Sequence, residues 1–457
     1  MSRIFLKSPA AVWTGLPEVD EKQGACGGIV IEAGRIVEHV AAGAAPTLPV
    51  DEEFDCRDRV LIPGLINCHH HFYQTLTRAL PAALNKELFE WLVNLYPVWA
   101  GLDEDCVRLS TKLALAELML SGCTTASDHH YLFNREVTAA IDIQVAAAQE
   151  MGMRVVLTRG SMSLGTSSGG LPPDCVVQDE AAILEESERL IKAYHDAGDG
   201  AMTQIALAPC SPFSVTPELM QASADLATQY GVLLHTHLAE TQDENQFCLD
   251  RFGQRPLDYL ESVGWLRPGV WLAHGIHFND EEVERLGKHR VGVSHCPSSN
   301  MMLASGMSRV LELEALGAPV GLGVDGSASN DCSNMMEEVR QAFLLQRLQY
   351  GSARVTHHDA LRWGTSGGAG VLGRPELGRL HLGAQADLAL FRLDELRFSG
   401  SHDAIAALVL CGAHRVSDLM VAGQWRVRDG NIPGLDLAQL RAEHSDAARR
   451  LALRASA

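Results

Sequence analysis

Eight times between residues 59 and 325 the chain repeats one unit: a short run, rich in Val, Ile and Leu everywhere but in the second and weakest, then a stretch of helical composition. The runs are "RVLIPGLIN" (59–67), "TTASDHH" (124–130), "RVVLTRG" (154–160) and "QIALAPC" (204–210), then "GVLLHTHLAE" (231–240), "GVWLAHG" (269–275), "VGVSHCP" (291–297) and "PVGLGVD" (319–325). Continuous apolar character suits parallel strands covered on both faces. "DEDCVRLSTKLALAELML" (103–120) and "EVTAAIDIQVAAAQEMG" (136–152) fill two of the gaps as helices. Thr216-Pro217-Glu218 reads as an N-cap with proline in the first helical position, and Asn279 with Glu282 as a capping box. Eight strand–helix units are what a closed (β/α)8 TIM barrel of the α/β class requires. An open doubly wound sheet is the alternative, but no GxGxxG follows the first run.

The flanks have a different rhythm. Residues 1–58 and 374–457 hold short alternating runs broken by glycine turns, such as "GGIVIEAGRIVEHV" and "VSDLMVAGQWRVRDGNI". They are expected to form one small β-sandwich from both termini, closed by a helix from Leu435 onward, around a barrel of residues 59–373. A net charge of −20 argues against a nucleic-acid partner held through phosphates and against an anionic membrane surface. There is no run of eighteen apolar residues and no leader-like start. Eleven scattered cysteines without a CxxC read as reduced thiols in the cytoplasm.

Polar residues gather at the C-terminal ends of the runs, where barrels place their chemistry. The first run ends in "PGLINCHHHFYQ" (63–74). In an extended chain His69 and His71 share one face, and His70 faces away. His235 and His237 likewise share a face in the fifth run; His237 is preferred because it lies nearer the strand end. Asp325 ends the eighth run. Three histidines, one carboxylate and an open position form a catalytic rather than structural type of metal site, suited to one divalent ion, zinc or alternatively iron. Glu240 is placed to shuttle a proton from an activated water. His274, ending the sixth run, is placed to hydrogen-bond that water, and Asp325 to take a proton as well as bind the ion. Cys210, ending the fourth run, is expected to line the pocket. His129, His130, His357 and His358 receive no role.

Taken together, "PGLINCHHH", "HTHLAE", "LAHG", "SHCPSSN" and "GLGVDGSASND" resemble the strand-end motifs of the amidohydrolase superfamily. The resemblance spans essentially the whole chain. The fourth run lacks the lysine that binuclear members commonly carboxylate, which implies the mononuclear deaminase branch. There His69, His71, His237 and Asp325 would be the ligands, Glu240 the shuttle and His274 the water-orienting group. Within that branch "NCHHHFYQTLTRALPAALNKELFEWLVNLYPVW" is most similar to the 8-oxoguanine deaminases, which are close to hydroxyatrazine-type aminohydrolases. Gln74 falls where guanine deaminases carry a glutamine that contacts the purine amide. Cys210 stands where those enzymes place an arginine.

The reaction expected is hydrolytic deamination of an amino-substituted purine, 8-oxoguanine to urate and ammonia. Trp91 would stack on the ring, and Arg159 would meet a carbonyl or an anionic ring. The alternatives are a deaminase or chlorohydrolase acting on a triazine, guanine or pterin, and a non-catalytic metal-binding barrel. By analogy with other barrel-plus-sandwich hydrolases the chain is expected to be a homo-oligomer.

Overall fold

The computed structural model of the protein describes residues 2–455. Eight parallel strands close into a barrel in chain order. They are Leu65–Asn67, Cys123–His130, Arg154–Ser161, Thr203–Pro209, Leu234–Leu238, Val270–His274, Gly292–His295 and Val320–Leu322. Each of the eight runs therefore supplies one barrel strand. The first run divides: Arg59–Pro63 pairs antiparallel with Leu388–Arg392 in an outer sheet, and only Leu65–Asn67 enters the barrel. Gly64 makes the change of sheet possible, because a Cβ there would lie 2.2 Å from Thr124 Oγ1.

Closure is thin. The first and eighth barrel strands share one register pair, Leu322 with Asn67. Side chains and strand extensions complete the seam. Val324 N donates to Asn67 Oδ1 at 2.9 Å, while Asn67 Nδ2 reaches Ser127 O on the second strand at 3.2 Å. Cys68 N donates to Leu322 O at 2.8 Å and Asp325 N to His69 O at 3.0 Å. The asparagine of "PGLIN" thus ties three strands together just below the histidines.

Inside the barrel, Ile66, Cys68, Val156, Ala206 and Trp271 pack on Ala369, Val371 and Leu372 to form an apolar floor. Helices cover the outside, and their caps follow the sequence. Thr216 Oγ1 accepts from Leu219 N at 3.1 Å, and Asn279 and Glu282 form the reciprocal capping box. The flanks build two sheets: Arg35–Val40, Gly28–Glu32, Arg3–Lys7 and Glu52–Asp55 in one, and Gln424–Val427, Asp418–Val421, Leu388–Arg392, Arg59–Pro63 and Ala11–Val12 in the other. Leu6, Ile29, Ile31 and Ile36 from the first sheet meet Leu61, Leu388, Leu390 and Met420 from the second in one buried layer. The terminal helix Leu437–Ala455 folds back on the barrel: His444 Nε2 lies 3.0 Å from Thr75 Oγ1 in the Phe72–Thr77 turn that follows the histidines. Among the described residues no helix is long and apolar enough to cross a membrane, and all eleven cysteines are free.

Candidate metal centre and pocket

Strand pairing stops at Asn67, so the three histidines follow the first strand rather than lying in it. The chain nevertheless sends His69 and His71 inward together, and His70 away to Ser333 Oγ at 2.9 Å. His71 Nε2 lies 3.2 Å from His237 Nε2, while Asp325 Oδ1 is 3.3 Å from His69 Nε2 and 3.4 Å from His71 Nε2. Four donor atoms from the first, fifth and eighth strand ends meet at one point.

Their protons are accounted for on the far side of each ring. A carbonyl can only accept, so His71 Nδ1 donates to His129 O at 2.7 Å and His237 Nδ1 to Cys210 O at 2.7 Å. Both Nε2 atoms are left bare. His69 Nε2 is buried with no hydrogen-bond partner. Burial pushes all three imidazoles below their usual pKa, so they stay neutral. Burial works against a charged Asp325, yet His69 against it, with His274 and His71, holds it well below the usual carboxylate range. Three bare imidazole nitrogens and a carboxylate, converged and buried without donors of their own, are the donor set of a divalent cation such as zinc.

Beside them sit Glu240 and His274. His274 Nε2 is 3.4 Å from Glu240 Oε2 and 3.8 Å from Asp325 Oδ2, and its Nδ1 is 2.9 Å from Asn300 Oδ1. Burial pushes Glu240 up to about 7, against the pull of His274. Burial opposes the charged form of His274, but Glu240 and Asp325 outweigh it and raise its pKa. Three residues here hold left-handed backbones without being glycine: Ala239 at φ 54°, His274 at φ 69° and Asp325 at φ 61°. Such conformations cost on the order of 1–3 kcal/mol each and persist where packing over-determines them. At Ala239 the determinant is Glu244, whose carboxylate accepts from Ala239 N at 2.9 Å and Glu240 N at 3.0 Å.

The cluster floors a pocket at the strand ends. Leu88, Leu92, Phe213 and Leu303 supply apolar wall, with Trp91, Tyr96 and Tyr131 as aromatic faces. Gln74 and Cys210 also line it. Gln74 Oε1 is buried without a partner, while Trp91 Nε1 is anchored on Ala328 O at 3.1 Å. Gly326 leaves Gln74 its room, because a Cβ there would lie 1.8 Å from Gln74 Oε1.

Arg159 is not brought to this pocket. It shares strand parity with Val155 and Leu157, which pack in the large core toward the helices, so it faces outward. Its guanidinium lies over the Phe133 ring at 4.0 Å and bonds Gly160 O and Gln178 Oε1. Conversely, His129, given no role from sequence, is fully buried among the ligand rings, stacked 4.8 Å from His237. Asn300, Glu244, Tyr96 and Tyr131 were also not singled out. Asn300 sits within the quoted "SHCPSSN" motif and Tyr96 within the quoted stretch 67–99; nothing local marks Glu244 or Tyr131.

A closed parallel barrel whose strand ends gather bare imidazoles, a carboxylate and a raised glutamate is the architecture of a metal-dependent hydrolase. The sequence profile of the amidohydrolase family matches residues 60–426, and the chain belongs to that family. It is 60% identical to the 8-oxoguanine deaminase of Pseudomonas aeruginosa over 99% of both chains. It is 38% identical to a hydroxydechloroatrazine ethylaminohydrolase of a Pseudomonas species, covering 85% of this chain and 82% of that one. Among solved structures it superimposes on the zinc complex of an atrazine chlorohydrolase from Arthrobacter aurescens with a TM-score of 0.90 at 31% identity, covering 97% of this chain and 100% of that one.

Proposed function

We propose that this protein is a metal-dependent aminohydrolase that removes the exocyclic amino group of an amino-substituted purine, with 8-oxoguanine as substrate and urate and ammonia as products. The convergence of three unprotonated imidazole nitrogens with Asp325, directly beside the buried carboxyl of Glu240, carries this reading. The 60% identity to an 8-oxoguanine deaminase supports the choice of substrate.

His69, His71, His237 and Asp325 would hold one divalent ion, zinc in this reading, which the zinc complex of the atrazine chlorohydrolase supports. When bound, such an ion lowers the pKa of its water from 15.7 towards roughly 7. The side chains divide the remaining work. His274, anchored on Asn300, holds the water oxygen through Nε2 in line with the amino-bearing carbon. Glu240 takes the water's proton and delivers it to the adjacent ring nitrogen. Asp325 receives the second proton and passes it to the departing amine, so water and the C–NH2 group become a carbonyl and ammonia. The flat pocket walls, Trp91 foremost, sandwich the ring. The unpartnered Gln74 Oε1 accepts an N–H from its amide edge.

The runner-up is a hydroxylated triazine, which the 38% relative favours. A screen of ammonia release over 8-oxoguanine, guanine, a pterin and a hydroxytriazine decides between them. Turnover of 8-oxoguanine with the highest kcat/KM is expected; turnover of the triazine with none of 8-oxoguanine reverses the assignment.

A further inference from the structure

Two of the three ligand imidazoles are fixed by main-chain carbonyls, at His129 and Cys210. His69 is not. Its Nδ1 lies 2.8 Å from Nε2 of a fourth imidazole, His235, which is fully buried. The direction of that bond follows from its neighbours. His235 Nδ1 is 2.9 Å from Trp271 O, a pure acceptor, so Nδ1 carries the proton and Nε2 is bare. His69 Nδ1 must then be the donor, and His69 Nε2 is left bare toward Asp325.

Trp271 braces this relay twice. Its ring stacks on His235 at 4.3 Å and 11°, and its Nε1 donates to Cys68 O at 3.1 Å, next to His69 in the chain. We propose that His235 is a positioning residue that sets the tautomer and angle of His69, and through it the affinity of the metal centre. Among the three histidines, His69 alone takes its orientation from a side chain, so one substitution can release it without touching the main chain. Partners of ligand imidazoles fix ring orientation and raise donor strength, and their loss costs about 10–100-fold in metal affinity. The inference rests on His69 being a ligand, as proposed above.

Two variants separate hydrogen bonding from packing. His235→Phe keeps a flat ring against Trp271 and removes the acceptor. His235→Gln supplies an amide oxygen for His69 Nδ1 and an NH2 group for Trp271 O. Metal-free preparations are titrated with zinc against a competing chelator, and their thermal unfolding is followed without metal. The phenylalanine variant is expected to bind zinc about 10–100-fold more weakly, and the glutamine variant to recover most of that loss. Metal-free unfolding of the two should nearly coincide. Equal weakening in both, or wild-type affinity in the phenylalanine variant, overturns the inference while leaving the functional reading intact. If the phenylalanine variant does not fold, the glutamine variant decides: a loss beyond about tenfold overturns the inference. A wild-type chain that binds no zinc overturns the ligand assignment itself, and this inference with it.

Discussion

Replacing Glu240 by glutamine tests the proposed chemistry with little disturbance to the fold. Glu240 is 4% exposed, and its Oε1 is 3.4 Å from Ser305 Oγ, a contact an amide oxygen preserves. It stands beside the four converging donors rather than among them, so the variant should retain its metal. What the amide cannot do is carry a proton, whereas burial pushes the Glu240 carboxyl up to about 7, poised to gain and lose one at neutral pH. Positioned proton transfer contributes about 10²–10⁴-fold to rate. At 1.36 kcal/mol per tenfold, Glu240→Gln should raise the barrier by about 2.7–5.4 kcal/mol, expressed in kcat more than in KM. The assay is ammonia release under saturating 8-oxoguanine, with elemental analysis of the same preparation. A fully metal-loaded variant whose kcat stays within about threefold of wild type would refute the shuttle role.

Other consequences follow from single contacts. Gly326→Ala places a Cβ where Gln74 Oε1 now lies; the displaced amide should raise KM about threefold to tenfold, one neutral hydrogen bond's worth, and an unchanged KM would remove Gln74 from substrate recognition. Glu338 is buried and pushed up to about 8 from 4.5, with Ser298 and Asn330 pulling the other way. An acid with a raised folded pKa contributes stability below its unfolded value and loses it as pH rises through the folded one. The wild type should therefore lose about 1.4 kcal/mol per pH unit relative to Glu338→Gln between about pH 5 and 8. Urea midpoints that keep a pH-independent gap between the two would contradict that burial penalty. Exhaustive chelation should abolish ammonia release and lower the melting temperature, and zinc should restore both. At 1,000 times its Kd a ligand adds about 4.1 kcal/mol of stability. Full turnover in a protein shown by elemental analysis to be metal-free would rule out the proposed centre.

The barrel was legible because each strand is an apolar run buried on both faces, a signal carried by neighbours in sequence. What escaped depends on partners far away. Nothing within 59–67 announces that Ile62 pairs with Ala389, so one expected strand is two, in different sheets. The site was readable where chemistry sits at strand ends: His69, His71, His237, Glu240, His274 and Asp325 do come together. Arg159 illustrates the limit. Its position near a strand end was right, but one residue of parity turned it from the barrel interior to the helical layer. His129 received no role and His235 yielded to His237, which lies nearer the strand end; only closure of the barrel packs both against the candidate ligands.

The seam between the first and eighth strands gives the centre a mechanical meaning. Only one register pair and a few bridging bonds hold the cylinder shut there. Directly above, His69 and His71 stand on one lip of the gap and Asp325 on the other. An ion grasped jointly by them, as proposed above, would bridge that seam. Damage to this join would disturb barrel closure and the candidate metal centre together.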